Sequence, residues 1–75
     1  HIYAQYSLAT MYQDGLGVAQ DNVKAYMWMN IAITNGDKDT IKDRDALAAD
    51  MTPQQIKRAQ QMARDCIARY YKQCN

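Results

Sequence analysis

Asp14-Gly15-Leu16-Gly17-Val18-Ala19-Gln20-Asp21 separates two stretches of helical periodicity, and its reading decides the fold. Two glycines one residue apart allow positive φ at either position, which ends a helix through a left-handed cap and lets the chain reverse tightly. Leu16 and Val18 are apolar residues in a polar loop and are expected to plug the open end of the helix pair. Asp21 is placed to supply the N-cap oxygen of the second helix. A phosphate-cradling loop is excluded, since no strand precedes the glycines and no Lys-Ser or Lys-Thr follows them.

Working outward from this joint, the first helix is predicted from Ile2 to Gln13. Ala4, Leu8 and Tyr12 form one stripe with Met11 beside it, and that stripe is expected to be core. Tyr3, Tyr6, Thr10 and Gln13 form a second stripe, offset by well over a quarter turn. Tyrosine joins an apolar ring to a polar tip, so this stripe suits a partner-binding surface and equally suits packing on whatever precedes residue 1. The second helix is predicted from Asn22 to Asn35, with Ala25, Trp28, Met29 and Ala32 facing the first and Gly36 as its C-terminal cap. Small Ala25 and Ala32 let the helices approach, and Trp28 fills the space between them.

These positions carry a family resemblance. Ala4, Leu8, Tyr12, Gly15, Gly17, Val18, Asp21, Lys24-Ala25, Trp28, Ala32 and Gly36 resemble one complete Sel1-like repeat, a relative of the tetratricopeptide repeat built from two antiparallel helices. The resemblance covers residues 1–36. It departs at Ala9, where the family usually has glycine, and at Ile33, where it usually has alanine. It implies an all-α solenoid of about four helices and a non-catalytic protein–protein interaction or scaffold module of a bacterial protein.

Beyond Gly36 the repeat restarts and decays, with Arg44 where Leu8 stood and Met51 where Gly15 stood, so residues 37–75 read as a degenerate repeat with a capping helix. A third helix is predicted over about Asp39 to Ala49, with Ile41, Leu47, Ala48 and Met51 apolar. Arg44 in its middle is expected to snorkel or to pair with an aspartate. The run Asp37, Asp39, Asp43 and Asp45 is not a calcium loop, because Lys42 stands at the glycine position and Ala48 at the closing glutamate. The fourth helix has the plainest start signal: Thr52 as N-cap, Pro53 at the first helical position and Gln55 closing a capping box. It is expected to run to about Tyr71, burying Ile56, Ala59, Ala63, Cys66, Ile67 and Tyr70. Lys57, Arg58, Arg64 and Lys72 fall on its outer side, a polar face suited to a terminal cap.

Seventy-five residues make one small domain, near the size at which a single core yields only a few kcal/mol (~3–5). The chain starts in mid-pattern, with helical residues from His1 and no cap ahead of them, as expected of a piece excised from a longer solenoid. A solenoid repeat that has lost its neighbour leaves Ile2, Tyr3 and Tyr6 uncovered, and self-association of the piece as a homodimer is the expected consequence. The formal charge is +1, so there is no global field for nucleic acid or a membrane surface. No apolar run is long enough to span a bilayer.

Catalytic groups are sparse: one histidine, at the first residue, and one serine, Ser7, without a basic partner. No catalytic residue, metal or cofactor is therefore expected. The alternative function is nucleic-acid or acidic-surface binding through the basic last helix, against which no aromatic residues interleave with its charges. Cys66 and Cys74 lie about 12 Å apart along a continuous helix, beyond the roughly 7 Å reach of a disulfide. They can join only if the helix stops. The spacing resembles that of the cysteine-rich secreted branch of the family, which implies a Cys66–Cys74 disulfide and a periplasmic or secreted location.

Overall fold

A computed structural model describes residues 2–74. The expected helical start at His1, and the contribution of the Ile2 side chain to an uncovered surface, lie outside the described residues. Four helices follow one another: α1 (Ile2–Asp14), α2 (Asn22–Thr34), α3 (Thr40–Ala48) and α4 (Pro53–Ala68). The fold is all-α, and the first three helices end within one residue of their expected limits.

The joint closes through backbone hydrogen bonds. Gly15 turns the chain at φ 70°, the Leu16 N–H donates to the Met11 carbonyl at 3.0 Å, and the Asp21 N–H donates to the Tyr12 carbonyl at 2.9 Å. Both acceptors are last-turn carbonyls that the helix itself leaves unsatisfied. A side chain at Gly15 would place its Cβ a tight 3.3 Å from the Gln20 Cβ, and the positive φ is what calls for glycine here. Asp21 caps α2 by accepting from the Lys24 N–H at 3.1 Å. The plug, however, is only half as expected: Val18 packs against the core, whereas Leu16 is 60% exposed. The bond from its own amide back to Met11 holds the Leu16 backbone at the helix end.

Helix α2 is the centre of the molecule and touches each of the other three. Its five consecutive residues from Ala25 to Met29 are buried, as are Ile31 and Ala32. The expected face of Ala25, Trp28, Met29 and Ala32 is present, but Tyr26, Met27 and Ile31 are buried as well, because α3 and α4 cover the sides that α1 leaves free. The Cα radius of gyration is 11.0 Å, which equals the ~11 Å of a globular chain of this length. So α4 folds back onto α2 and does not extend the array in one direction.

On α1 the buried residues are Gln5, Ala9 and Tyr12, with Leu8 partly buried against the core. Ala4, expected in the core, is exposed. It lies about 140° around the helix from Ala9, and Ala9 is the point of close approach, with no exposed surface. The polar Gln5 is tolerated inside because its Oε1 accepts from the Asn35 Nδ2 at 3.0 Å.

Helix α3 likewise turns a different face inward. Thr40 and Leu47 are buried and Met51 follows them in, while Ala48 is partly buried and Ile41 is 37% exposed. Arg44 stays at the edge, donating to Asn30 Oδ1 at 3.0 Å and pairing with Asp45 at 3.4 Å.

The capping box of α4 is formed in both directions: the Gln55 N–H donates to Thr52 Oγ1 at 3.1 Å, and the Thr52 N–H donates to Gln55 Oε1 at 2.9 Å. Ala59, Ala63 and Cys66 are buried, with Ile56 and Ile67 packed beside them. The helix stops at Ala68, three residues before the expected end. Tyr70 adopts φ 55°, its N–H donates to the Ile67 carbonyl at 3.0 Å, and the Tyr71 N–H donates to the Cys66 carbonyl at 2.8 Å. That pair of bonds is a Schellman ending with tyrosine in the left-handed position usually held by glycine. Tyr70, expected to extend the buried stripe, is therefore 84% exposed. The reversal brings the Cys66 and Cys74 Cα atoms to 5.2 Å and their sulfurs to 2.08 Å, bonding distance for a disulfide.

Candidate functional site

The start of α1, the turn after α2 and the first turns of α3 enclose a cleft of about 600 Å³ lined by Tyr3, Tyr6, Gly36, Asp37, Asp39, Thr40 and Asp43. Each wall has a local cause. Gly36 ends α2 at φ 110°, with its N–H donating to Ile33 and the Asp37 N–H donating to Ala32, both at 3.0 Å. This tight ending throws Asp37 and Asp39 to one side of the α2–α3 turn. Buried Thr40 anchors the first residue of α3 and sets Asp43 one turn further along.

Tyr6 bridges the two halves. It is partly buried, and its hydroxyl donates to Asp43 Oδ2 at 3.0 Å, a charge-assisted bond across 37 positions of sequence. The bond needs the neutral phenol. Accordingly the Tyr6 hydroxyl is held above its ordinary ionisation value of 10.0, first by the hydrogen bond to Asp43, then by burial, then by the negative charges of Asp43, Asp37 and Asp14. With the folded value above the unfolded one, Tyr6 contributes its full stabilisation below pH ~10 and loses it as the pH rises through the folded value. We expect Cζ-labelled tyrosine NMR to show Tyr6 ionising above the ordinary range, and Asp43→Asn to bring it back down. An ordinary titration of Tyr6 in the unsubstituted protein would contradict the bridge.

The stripe Tyr3, Tyr6, Thr10 and Gln13 is thus divided. Tyr3 is 79% exposed and faces the same cleft as Tyr6. Thr10 donates from Oγ1 to the Ser7 carbonyl at 2.9 Å, and Thr10 and Gln13, both partly buried, do not line the cleft. The acidic wall escaped the sequence reading. In sequence the aspartates resemble nothing beyond an incomplete calcium loop, and their convergence on α1 depends on how α3 packs. Among the described residues no group of three or more His, Cys, Asp or Glu side chains is placed to hold a metal, and no helix is long and apolar enough to cross a membrane.

A second polar connection runs behind the cleft. Asn35 Nδ2 donates to buried Gln5 and also lies 3.3 Å from the Tyr71 hydroxyl, tying the tail that ends at Cys74 to the turn that carries Gly36. A smaller cavity of about 230 Å³ under that tail is lined by Met27, Met62, Asp65, Cys66, Arg69, Gln73 and Cys74. On the outer side of α4, Lys57, Arg58 and Arg64 are exposed. Arg64 donates to Gln61 at 2.8 Å, and Gln61 donates to Asp65 at 2.9 Å.

Comparison with protein families matches the Sel1 repeat over residues 2–37, that is, α1, the joint, α2 and the turn that begins the cleft. Repeats of this kind generally mediate protein–protein interaction and are typically non-catalytic. No curated protein and no solved structure matches the chain.

Proposed function

From the Sel1 repeat that the chain carries at residues 2–37, we propose that the protein is a non-catalytic interaction module whose partner docks a segment into the cleft between α1 and the α2–α3 turn. The observation that carries the reading is the cleft itself. At about 600 Å³ it falls within the roughly 300–1,000 Å³ of ligand-binding pockets, and it is walled by two tyrosines, a residue enriched at interaction sites. Residues 37–75, with the polar outer face of α4, serve as the cap that ends a bacterial solenoid. The cysteine pair at bonding distance fits an oxidising compartment, the periplasm or the exterior.

Selection from a displayed random-peptide library, followed by amide chemical-shift mapping, tests the docking site. Selected peptides should shift the amides of Tyr3, Tyr6 and residues 36–43, and Tyr6→Ala should weaken binding about tenfold or more, as loss of a buried aromatic anchor does. Peptides that map to the outer face of α4 would instead move the site to the basic helix. Homodimerisation through Tyr3 and Tyr6 is the competing use of the same surface. Sedimentation that shifts with concentration, and is abolished by Tyr3→Ser with Tyr6→Ser, would assign the cleft to a second copy.

A further inference from the structure

We infer that the cleft receives a cationic side chain, an arginine of the docked partner segment; this rests on the docking reading above and adds the chemistry of what docks. Three aspartates and two tyrosine rings line the same space, and no basic residue lines it. Lys38 and Lys42 stand in the same stretch of sequence and are exposed. Yet among the described residues the ion pair is Arg44–Asp45, so neither lysine is in ion-pair contact with Asp37, Asp39 or Asp43. Asp43 accepts the Tyr6 hydroxyl on Oδ2, which leaves its other oxygen for a further donor.

The hydroxyl bond also fixes how the Tyr6 ring stands between α1 and α3. A guanidinium is planar, weakly hydrated and doubly forked, so it stacks on an aromatic face while bonding a carboxylate, which an ammonium does less well. The chain already makes one contact of this class, Lys24 Nζ lying 5.4 Å from the Tyr12 ring centre. An anionic or phosphate-bearing ligand would meet the like charge of Asp37, Asp39 and Asp43 with no cation in the lining to offset it, so the sign of the cleft disfavours nucleic acid on this face. The chain's own exposed cations on α4 are the other conceivable source. Arg64 among them is already engaged by Gln61 on its own helix, and we assign the arginine to a different protein.

The probe is a short Gly-Ser peptide bearing one arginine, compared with the same peptide bearing the neutral isostere citrulline. The arginine peptide should shift the amides of Tyr6, Asp37, Asp39 and Asp43, and citrulline should bind at least about tenfold more weakly, given the combined loss of cation–π and ion-pair attraction. Asp39→Asn is the safest variant, because Asp39 makes no side-chain capping bond to α3, and it should weaken the arginine peptide several-fold and flatten its salt dependence. Equal shifts by the two peptides would overturn the charge assignment while leaving docking in the cleft intact. No shift from either, alongside library peptides that do bind the cleft, would also overturn it. Salt-sensitive self-association removed by Lys57→Glu with Arg58→Glu would overturn it by naming a second copy as the source.

Discussion

Trp28→Ala is expected to unfold all four helices in one step. Trp28 is 6% exposed and belongs to the core cluster that joins α1, α2 and α4. Truncating a buried tryptophan costs about 3–5 kcal/mol, which equals the whole stability expected of a core this small. The effect should be global because α2 packs extensively against each of the other three helices. Leu16→Ala in the joint should by comparison fall within about 0.5 kcal/mol, as surface substitutions do. Circular dichroism during thermal unfolding, together with amide spectra of the variant at low temperature, checks both. A Trp28→Ala protein that kept α3 and α4 folded while α1 and α2 melted would show two separate units and refute the central role of α2.

Cys74→Ser is expected to lower stability by about 2 kcal/mol. Closing a loop of this length removes about 2.5 kcal/mol of chain entropy from the unfolded state. Part of that loss is returned, because the loop between the cysteines holds Tyr70, Tyr71 and Gln73 at φ 55°, 65° and 57°. Non-glycine residues in this region are strained and persist only where the surroundings enforce them. Once the tail is released these residues relax, and the hydrogen bond between Tyr71 and Asn35 goes with them. Amide exchange at Tyr71 should therefore accelerate far more than at Ala59 or Ala63. Mass spectrometry of the non-reduced protein should find Cys66 linked to Cys74 within one chain. Two freely alkylated thiols would remove both the stabilisation and the argument for an oxidising compartment.

The joint was legible because its information is local. A glycine at positive φ, an aspartate three residues before the amide it caps, and the Thr52-Pro53-Gln54-Gln55 box each act within one turn of helix, so residue type and spacing suffice. Helix limits followed from the same signals wherever such a signal existed. Where none existed, at the end of α4, periodicity ran on to Tyr71 although the chain had turned at Ala68. Nothing in the side chain of Tyr70 announces a left-handed residue. The turn goes together with the Cys66–Cys74 contact across eight positions, which the family resemblance implies but which no signal within one helical turn locates.

Which face of each helix turns inward was harder to read, for a different reason. Periodicity gives an apolar stripe, but α1 carries apolar residues on more than one side, and only the position of α2 selects Gln5, Ala9 and Tyr12 over Ala4. Thr40, not Ile41, enters the core of α3 because the turn at Gly36 fixes the rotation of that helix before its own residues choose.

The sequence by itself determined the number of helices among the described residues, the caps at Asp21, Gly36 and Thr52, the reversal at Gly15 and the repeat to which residues 2–37 correspond, because hydrogen bonding and backbone sterics operate between near neighbours. The tertiary structure alone decided that Tyr6 meets Asp43, that Asp37 and Asp39 join them around one cleft, and that α4 folds back on α2. Those contacts span from about twenty to nearly forty positions and depend on the crossing of packed helices, a property of assembled side-chain surfaces that no single stretch of the chain contains.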